Sequence, residues 1–436
     1  MADFPTTVAA DEKGAIRDLP ELAAAGRSGH EIHQIDPASL IPLPSGSWLY
    51  FLPGRFAIGF SGNALHTCGR NLAVAAFLPP GYVALALSAF KSEKNAPHLP
   101  LFCYCAVCWH RNGFYVPALR VDKDPKHDLS SLDMKKVCKE VNRWIRRHPG
   151  NRLVAHHGLQ CVKKYGCPNA VNLFLRRWEA PISVSGHCNA ECHGCISKQD
   201  NNSIQAPQAR IDFQPTVEEI VEIAVPHLKT APKAMISFGQ GCEGEPLLKS
   251  RLIESAIVAI RKETKRGTIH LNTNGSLPDA VKRLAESGLD SIRISLNSAR
   301  PEFYSAYYQC RAYSFDDVMK SFRIARQAGL WVSINYLTFP GVTDTRAECD
   351  ALCRLLEETS PQMIQWRNLN IDPDIYMATL ERARPPLSLR RWRQSARNAT
   401  LSSADRAKPL GIVPMMEQIR QKFPEIGFGY FNPPVA

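Results

Sequence analysis

Short apolar segments alternate with amphipathic segments through the middle of the chain, between Glu179 and Asn370. The apolar segments are rich in β-branched residues and too short for helices, a pattern that is typical of buried parallel strands. The predicted strands are Pro181–Ser185, Ala234–Phe238, Thr268–Thr273, Ser291–Leu296, Trp331–Thr338 and Met363–Arg367.

Segments with helical spacing separate these strands. Thr216-Val-Glu-Glu219 has the pattern of a capping box, and Gly288 and Gly329 lie where helices should end. The predicted helices are Thr216–Leu228, Leu247–Lys265, Pro278–Ser287, Phe315–Ala328 and Asp344–Glu358. Repeated βα units with right-handed crossovers close into a barrel or part of one. We therefore predict an α/β fold with a partial (β/α)6 barrel.

The flanking regions have weaker patterns. Residues 1–177 are predicted to form an N-terminal α+β domain of unknown role, residues 178–374 the barrel, and residues 375–436 a short basic C-terminal extension. One helix, Pro414–Lys422, is expected in this extension, which we expect to cover the open side of the barrel. The N-terminal strands are predicted at Trp48–Phe60, Leu72–Phe77, Tyr82–Phe90, Leu101–Val107 and Phe114–Val121, and the helices at Asp133–Arg147 and Asn151–Tyr165.

The composition is that of a globular protein, with 44% hydrophobic and 22% charged residues among 436. No apolar run approaches the ~18 to 20 residues of a membrane span, and the N-terminal Met1-Ala-Asp-Phe-Pro lacks the pattern of a signal peptide. Fourteen cysteines without an export signal indicate a reducing compartment. We therefore expect a cytoplasmic protein with no membrane partner.

The net charge of +12 is concentrated near the C-terminus, where residues 381–436 carry ten Lys and Arg against four Asp and Glu. A solvated helix face is the favoured interpretation, with a phosphate-binding surface as the alternative. The densest run contains Arg382, Arg384, Arg390, Arg391, Arg393 and Arg397.

Three cysteines follow the first predicted strand with the spacing C-x3-C-x2-C: Cys188, Cys192 and Cys195. Thiolates this close together can ligate three irons of one cubane and leave the fourth iron open. A zinc ion is the alternative, because His187 or His193 offers a fourth ligand.

Polar and small residues also follow the other predicted strands. Because catalytic groups of such folds lie at the carboxyl ends of the strands, these residues are expected around one barrel mouth. The segments are 238–247 (FGQGCEGEPL), 271–276 (LNTNGS), 293–297 (RISLN), 335–344 (NYLTFPGVTD) and 365–370 (QWRNLN). Gln365, Arg367 and Asn368 are candidate substrate contacts, although ordinary polar residues at a strand end fit equally well.

The cysteine loop, the Gly-Glu-Pro sequence at 244–246 and the six βα units resemble the radical S-adenosylmethionine (radical SAM) superfamily over residues 178–374. The resemblance implies a [4Fe–4S] cluster held by the three cysteines, with SAM chelated at the open iron. It implies that the reduced cluster cleaves SAM to a 5′-deoxyadenosyl radical, which takes a hydrogen atom from the substrate. A single-electron donor such as flavodoxin or ferredoxin is the implied partner.

The resemblance also implies which residues contact SAM. Gly244 and Glu245 would meet its amine, and Arg293, Ser295 and Asn297 its ribose and carboxylate. Further expected lining residues are Asn272, Asn274 and Asn335. One position departs from the family pattern. Gly194 stands before the third cysteine, where an aromatic residue commonly helps to hold the adenine, so His193, Ile196 or the later strands are expected to compensate.

A second set of cysteines precedes the barrel: Cys103, Cys105, Cys108, Cys161 and Cys167. Four of them could hold an auxiliary cluster or a zinc ion, with His156 and His157 nearby, but buried thiols of a core explain them as well. Cys68, Cys138, Cys310, Cys349 and Cys353 are interpreted as isolated core thiols, and Cys242 as a packing residue or a hydrogen-atom donor.

The leading hypothesis is thus a radical SAM enzyme that acts on an unidentified small molecule or peptide. The segment Gly-x-Gly-x-x-Gly-Glu-Pro is similar to that of radical SAM RNA methylases, so RNA modification is the second hypothesis, without a recognisable RNA-binding module in support. A non-catalytic zinc or iron–sulfur protein is the third.

Overall fold

The computed structural model describes residues 4–128, 132–199, 204–383 and 408–435. Most of the predicted basic run, from Arg384 to Arg397, lies outside these ranges, so its interpretation as a helix face stays a prediction.

A parallel sheet of seven strands forms the centre of the fold, with neighbours in chain order. Its edge strands do not pair with each other within the described ranges, so the curved sheet is an open α/β barrel-like structure. The strands are β12 (Glu179–Ile182), β13 (Met235–Phe238), β14 (Thr268–Thr273), β15 (Ser291–Leu296), β16 (Trp331–Thr338), β17 (Met363–Asn368) and β18 (Gly427–Gly429).

Helices cover the outer face of this sheet. Each of the five helices predicted between the strands is present within a few residues of its expected bounds, and the capping box at Thr216 forms as predicted. The helix that follows β15 directly was not predicted. The helices are α4 (Val217–Thr230), α5 (Ser250–Glu263), α6 (Pro278–Ser287), α7 (Pro301–Tyr308), α8 (Phe315–Gln327), α9 (Arg346–Thr359), α10 (Pro373–Glu381) and α11 (Ile412–Lys422).

The first strand ends three residues earlier than predicted, at Ile182. The backbone N–H groups of Val184 and Ser185 donate to the carboxylate of Glu243, at 2.7 and 3.0 Å, and not to a neighbouring strand. A side chain on the next loop therefore ends the hydrogen-bonded ladder and begins the cysteine loop.

The C-terminal segment adds the seventh strand, which the sequence did not predict. After α11, β18 pairs in parallel with β17. Beyond it, Asn432 Nδ2 donates to Glu179 Oε1 on the opposite edge strand, at 3.2 Å. The C-terminal segment thus reaches across the open side of the barrel.

The N-terminal region is richer in strands than predicted. Eleven strands form one antiparallel sheet. Its order is β3-β2-β5-β6-β1-β10-β11-β4, with an added β1–β2 pairing that closes a ring of four strands. The strands are β1 (Thr6–Ala10), β2 (Ile16–Ser28), β3 (Glu31–Gln34), β4 (Leu40–Pro42), β5 (Trp48–Ser61), β6 (Ala64–Phe77), β7 (Tyr82–Ala84), β8 (Leu87–Ser88), β9 (Phe90–Ser92), β10 (Cys108–His110) and β11 (Gly113–Arg120).

One predicted strand of this region is absent, the predicted strand Tyr82–Phe90 is divided among β7, β8 and β9, and the long strand β2 was not predicted. Leu101–Val107 is not a strand, because only Cys105 pairs there, through isolated bridges to Ala76 and Leu87. The long strand β2 was missed because its Pro, Gly and consecutive Ala residues have low strand propensity.

A short helical region links the N-terminal sheet to the barrel. The helices are α1 (Met134–Arg147), α2 (Arg152–Ala155) and α3 (Pro168–Phe174). Between α2 and α3, residues His156–Lys164 form a π-helix. The N-terminal sheet itself docks against the loops that follow β16 and β17, where Gly29 N donates to Pro340 O at 2.8 Å and the buried Arg55 Nη2 pairs with Asp372 Oδ2 at 2.8 Å. No helix in the described ranges is both long and apolar enough to cross a bilayer.

Candidate functional site

The cysteine loop is held at the barrel mouth by main-chain hydrogen bonds to the end of α7. Glu191 N donates to Tyr308 O at 3.0 Å, and His193 N donates to Tyr307 O at 3.1 Å. Cys195 N donates to Cys192 O within the loop, at 3.1 Å. The three predicted cysteines are free thiols of intermediate burial. The loop therefore has a fixed backbone and keeps all three sulfurs available as ligands.

The three thiols differ in their electrostatic surroundings. Burial raises the pKa of Cys188 to about 11 and raises that of Cys192 strongly. At Cys195 burial acts in the same direction, but Ser197 and Arg210 outweigh it and lower the pKa below the usual value. Arg210 Nη2 lies 3.3 Å from Cys195 Sγ. Ligands of a metal must be thiolates, so Arg210 favours the required form of Cys195.

The Gly-Glu-Pro loop packs directly against the cysteine loop. Gly244 N donates to Ser185 O at 2.6 Å, and Glu245 N donates to His187 O at 2.8 Å. A Cβ atom at residue 244 would lie 2.0 Å from His187 O, so only glycine fits there. The two loops that the sequence predicted at one mouth are thus in contact through their backbones.

Two buried carboxylates organise this contact. Glu245 accepts hydrogen bonds from Leu247 N at 3.0 Å, from Asn274 N at 2.8 Å and from the Thr273 hydroxyl. Burial raises its pKa to about 7 in spite of these donors. Glu245 thus ties its own loop to the end of β14.

Glu243, which the sequence did not single out, accepts four backbone N–H groups. Oε1 accepts from Gly239 and Gln240 at 2.8 and 2.6 Å, while Oε2 accepts from Val184 and Ser185. Burial raises its pKa to about 8, against the effect of these donors. Glu243 was missed because its partners are main-chain groups, and the sequence gives no signal for them.

The remaining predicted SAM contacts lie along β14, β15 and β16. Asn274 Nδ2 donates to Asn189 Oδ1 of the cysteine loop, at 2.9 Å. Asn335 Nδ2 donates to Ser295 Oγ at 3.1 Å. Asn297 is fully buried, and its Nδ2 donates to Phe303 O and Tyr376 Oη. Their assignment as SAM contacts stays a prediction.

Asn272 and Arg293 lie lower in the barrel. Asn272 Oδ1 is hydrogen-bonded to His270 Nε2, and Asn272 Nδ2 donates to Phe238 O. Arg293 Nη1 donates to Gln365 Oε1 at 2.8 Å and to Asn432 Oδ1 at 3.2 Å. Both line a cavity of about 440 Å³. Ile196, the neighbour of Cys195, lines the same cavity. The cavity thus extends from the edge of the cysteine loop into the barrel.

Tyr307 occupies the space beside Gly194. A Cβ atom at residue 194 would lie 2.5 Å from Tyr307 Oη and 3.4 Å from Asn370 O. Tyr307 is itself buried. A tyrosine from α7 therefore fills the place that a side chain at position 194 would need, and the compensation by His193, Ile196 or the later strands stays a prediction.

The second set of cysteines does not form one group. Cys105 and Cys108 donate to carbonyl groups of β11, at 3.6 and 3.5 Å, and Cys103 is buried beside them in the N-terminal sheet. Cys161 instead lies at the barrel, near Cys242. Cys310, interpreted as an isolated thiol, forms a β-bridge with Ala190 of the cysteine loop.

The residues at the mouth fit an iron–sulfur cluster and SAM. Cys188, Cys192 and Cys195 stand in one short loop as three free thiols, which suits ligands of three different irons. The amide oxygens of Asn297 and Asn335 are buried and have no hydrogen-bond partner within the described ranges. A bound molecule with amine or hydroxyl donors would satisfy them.

Known proteins resemble the barrel region. The family model described as "Radical SAM superfamily" matches residues 182–352. A GTP 3′,8-cyclase of Streptomyces coelicolor is 27% identical over 168 residues, which are 38% of this chain and 46% of that protein. The FeMo cofactor biosynthesis protein NifB of Azotobacter vinelandii is 25% identical, over 37% of this chain and 35% of its own length.

Among solved structures, Streptococcus suis SuiB bound to its precursor peptide SuiA gives a TM-score of 0.38 at 15% identity, covering 64% of this chain and 53% of SuiB. The chain spans less than half the length of the two curated relatives named above. The family match covers the cysteine loop, the Gly-Glu-Pro loop and the four parallel strands β13 to β16. Residues 182–352 of this chain thus match the radical SAM superfamily, whose members bind a [4Fe–4S] cluster and SAM.

Proposed function

We propose that this chain is a radical SAM enzyme that acts on an anionic small molecule held in the barrel cavity. The enzyme class is supported by the contact between the cysteine loop and Gly244-Glu245, through which the loop with three thiols lies beside a buried carboxylate at the barrel mouth. When bound, the reduced cluster and SAM supply one-electron cleavage of SAM and abstraction of a hydrogen atom from the substrate.

The residues of the chain provide the surroundings for that chemistry. Cys188, Cys192 and Cys195 would hold the cluster, with Arg210 stabilising the thiolate of Cys195. Glu245 would face the SAM amine, and the free amide oxygen of Asn335 would accept from a hydroxyl or amine of the same molecule. Gly244 allows the two loops to touch and thereby positions both cofactors.

The substrate class is inferred from two arginines of the cavity, the buried Arg293 and the half-buried Arg367. The charge of one buried carboxylate of the same cavity, Glu179, acts on both guanidiniums, but it forms a direct ion pair with neither in the described ranges. Two guanidiniums against one carboxylate leave an excess of positive charge in the cavity. Arg367 donates only to Tyr430 O, at 2.7 and 3.1 Å, and Arg293 Nε has no partner there. An unpaired buried charge costs several kcal/mol. A phosphate or carboxylate group of the substrate would offset this cost.

A cavity of about 440 Å³ suits a small molecule better than a folded macromolecule. The curated relatives include proteins named GTP 3′,8-cyclase, so GTP is a sensible first probe for an anionic ligand. We would measure thermal unfolding of the reconstituted protein with GTP and with neutral guanosine. GTP should stabilise the wild type more than guanosine does, and Arg293→Gln with Arg367→Gln should abolish the difference.

Other anions belong to the same test, because the proposal concerns charge and not the guanine base. Pyrophosphate, citrate and ATP therefore accompany GTP, and Arg251→Gln on the exposed face of α5 is the matched control. If no anion stabilises the wild type, or if the double arginine variant keeps the full effect, the substrate class is wrong. The domain bounds, the RNA hypothesis and the electron donor stay predictions.

A further inference from the structure

Four metal-ligand side chains meet beside the cavity, away from the cysteine loop. They are His156, His157, Cys161 and Cys242, and their ligand atoms all lie within 4.8 Å of one another. His157, Cys161 and Cys242 are buried, and His156 is half-buried. Two histidines and two cysteines are a common ligand set for structural zinc.

The π-helix brings three of these residues to one side. A π-helix has i→i+5 hydrogen bonds, and in proteins it is rare and concentrated at functional sites. Here it runs from His156 to Lys164 and contains both histidines and Cys161. Its wider turn brings His156 and Cys161, five residues apart, onto one side with His157. Gly158 lets this segment approach α1, because a Cβ atom there would lie 2.7 Å from Val141 Cγ1.

The fourth residue comes from the barrel. Cys242 lies in the loop after β13, next to Glu243. Its sulfur is 3.6 Å from Cys161 Sγ and 3.2 Å from Ser183 Oγ. A site of these four residues would thus join the linking helices to the loop that carries Glu243 and Glu245.

The distances suit a tetrahedral ion. With Zn–S bonds of about 2.3 Å and Zn–N bonds of about 2.0 Å, two sulfurs lie roughly 3.8 Å apart and a sulfur and a nitrogen roughly 3.5 Å apart. The corresponding distances are 3.6 Å between Cys161 Sγ and Cys242 Sγ, and 3.7 Å between Cys161 Sγ and His157 Nδ1. The widest pair, at up to 4.8 Å, needs a side-chain movement of about 1 Å to reach the same geometry.

The two imidazoles have no better partner. Nε2 of both His156 and His157 is buried without a hydrogen bond within the described ranges. Cys161 Sγ, 3.7 Å from His157 Nδ1, is the partner that His157 has. A thiol is a weak donor and a weak acceptor, so hydrogen bonding alone is a poor reason to gather these four groups.

We propose that His156, His157, Cys161 and Cys242 bind one Zn²⁺ ion. With four protein ligands the ion has no open position, so its role is structural. It fastens the π-helix to the loop of Glu243 and Glu245 and thereby supports the barrel mouth. The site is separate from the three-cysteine loop and does not depend on the proposed function.

Metal content of purified protein tests this site. A triple variant, with Cys188, Cys192 and Cys195 each changed to Ala, removes the cluster ligands and should still contain about one zinc per chain. Cys161→Ser and His157→Ala should lose this zinc. Cys349→Ser, a buried thiol of α9, and His66→Gln, an exposed histidine, should keep it.

Cobalt gives a second readout in which all four residues of the proposed site are kept. After zinc is removed by a chelator and replaced by Co²⁺, the triple variant should show the visible bands of tetrahedral cobalt with thiolate ligands. Absence of zinc and of these bands in the triple variant would overturn the proposal. So would a disulfide between Cys161 and Cys242, about four irons per chain in the triple variant, or unchanged zinc in His157→Ala.

Discussion

Substitution of Gly244 by alanine should separate the two loops of the barrel mouth. The added Cβ would lie 2.0 Å from His187 O, 2.4 Å from His187 C and 3.1 Å from Cys188 N. These are backbone atoms, which cannot rotate away. Two hydrogen bonds, from Gly244 N to Ser185 O and from Glu245 N to His187 O, hold the loops at this distance. The alanine can therefore be accommodated only if the loops move apart.

The cost can be built from these contacts. Overpacking at a tight site costs about 1–3 kcal/mol, and each lost hydrogen bond costs about 1 kcal/mol. We therefore expect Gly244→Ala to lower the free energy of unfolding by about 3–5 kcal/mol, if the loop stays in place until global unfolding. If the loop moves locally, the loss of stability will be smaller and the loss of cluster larger, because Cys188 follows His187 directly.

Urea unfolding and iron content after anaerobic reconstitution measure both effects. The matched control is Gly150→Ala, because the added Cβ there meets no atom within 4 Å. Gly244→Ala should lose stability, bound iron or both, whereas Gly150→Ala should keep both. Wild-type iron together with a stability change below about 1 kcal/mol in Gly244→Ala would refute the reasoning.

Two further outcomes are expected. Gly194→Ala should lower the free energy of unfolding by about 1–3 kcal/mol, because the added Cβ clashes with Tyr307 Oη. Tyr307→Phe removes this hydroxyl and should restore at least about 1 kcal/mol in the double variant. Additive effects of the two substitutions in a double-mutant cycle would contradict the contact. Burial lowers the pKa of His227 to about 4 and that of His270 to about 3. Both histidines stay neutral in the folded protein, whereas in the unfolded chain they are protonated below pH ~6.5. The free energy of unfolding should therefore fall as the pH is lowered below ~6.5, by about 4 kcal/mol for the two residues together between pH 7 and pH 5. Between pH 7 and pH 5, urea unfolding should show a smaller loss of stability in the double variant His227→Gln/His270→Gln than in the wild type. The control His66→Gln, at an exposed histidine, should lose as much as the wild type, and equal losses in all three proteins would contradict this.

Local patterns were sufficient to predict most of the parallel sheet. Strands β14, β15 and β16 have the predicted bounds, because each is a short segment with apolar and β-branched residues between clear helix and turn signals. The three cysteines were identified by their spacing alone. Strand β18 was missed because Gly-Phe-Gly has low strand propensity and forms a strand only against β17.

The rest of the site depends on contacts between distant residues. Glu243 bonds main-chain groups 58 and 59 residues away, and Tyr307 reaches Gly194 from another helix. Cys161 and Cys242 are 81 residues apart and meet only in the fold. Such contacts leave no periodic pattern in the sequence, so the structure was needed to find them.

The production of 5′-deoxyadenosine from SAM by anaerobically reconstituted, dithionite-reduced protein tests the central claim most directly. The wild type and Cys353→Ala, a thiol of α9, should form it, while Cys192→Ala should form none. If the wild type with about four bound irons forms no 5′-deoxyadenosine, or if Cys192→Ala forms as much as the wild type, the chain is not the proposed enzyme.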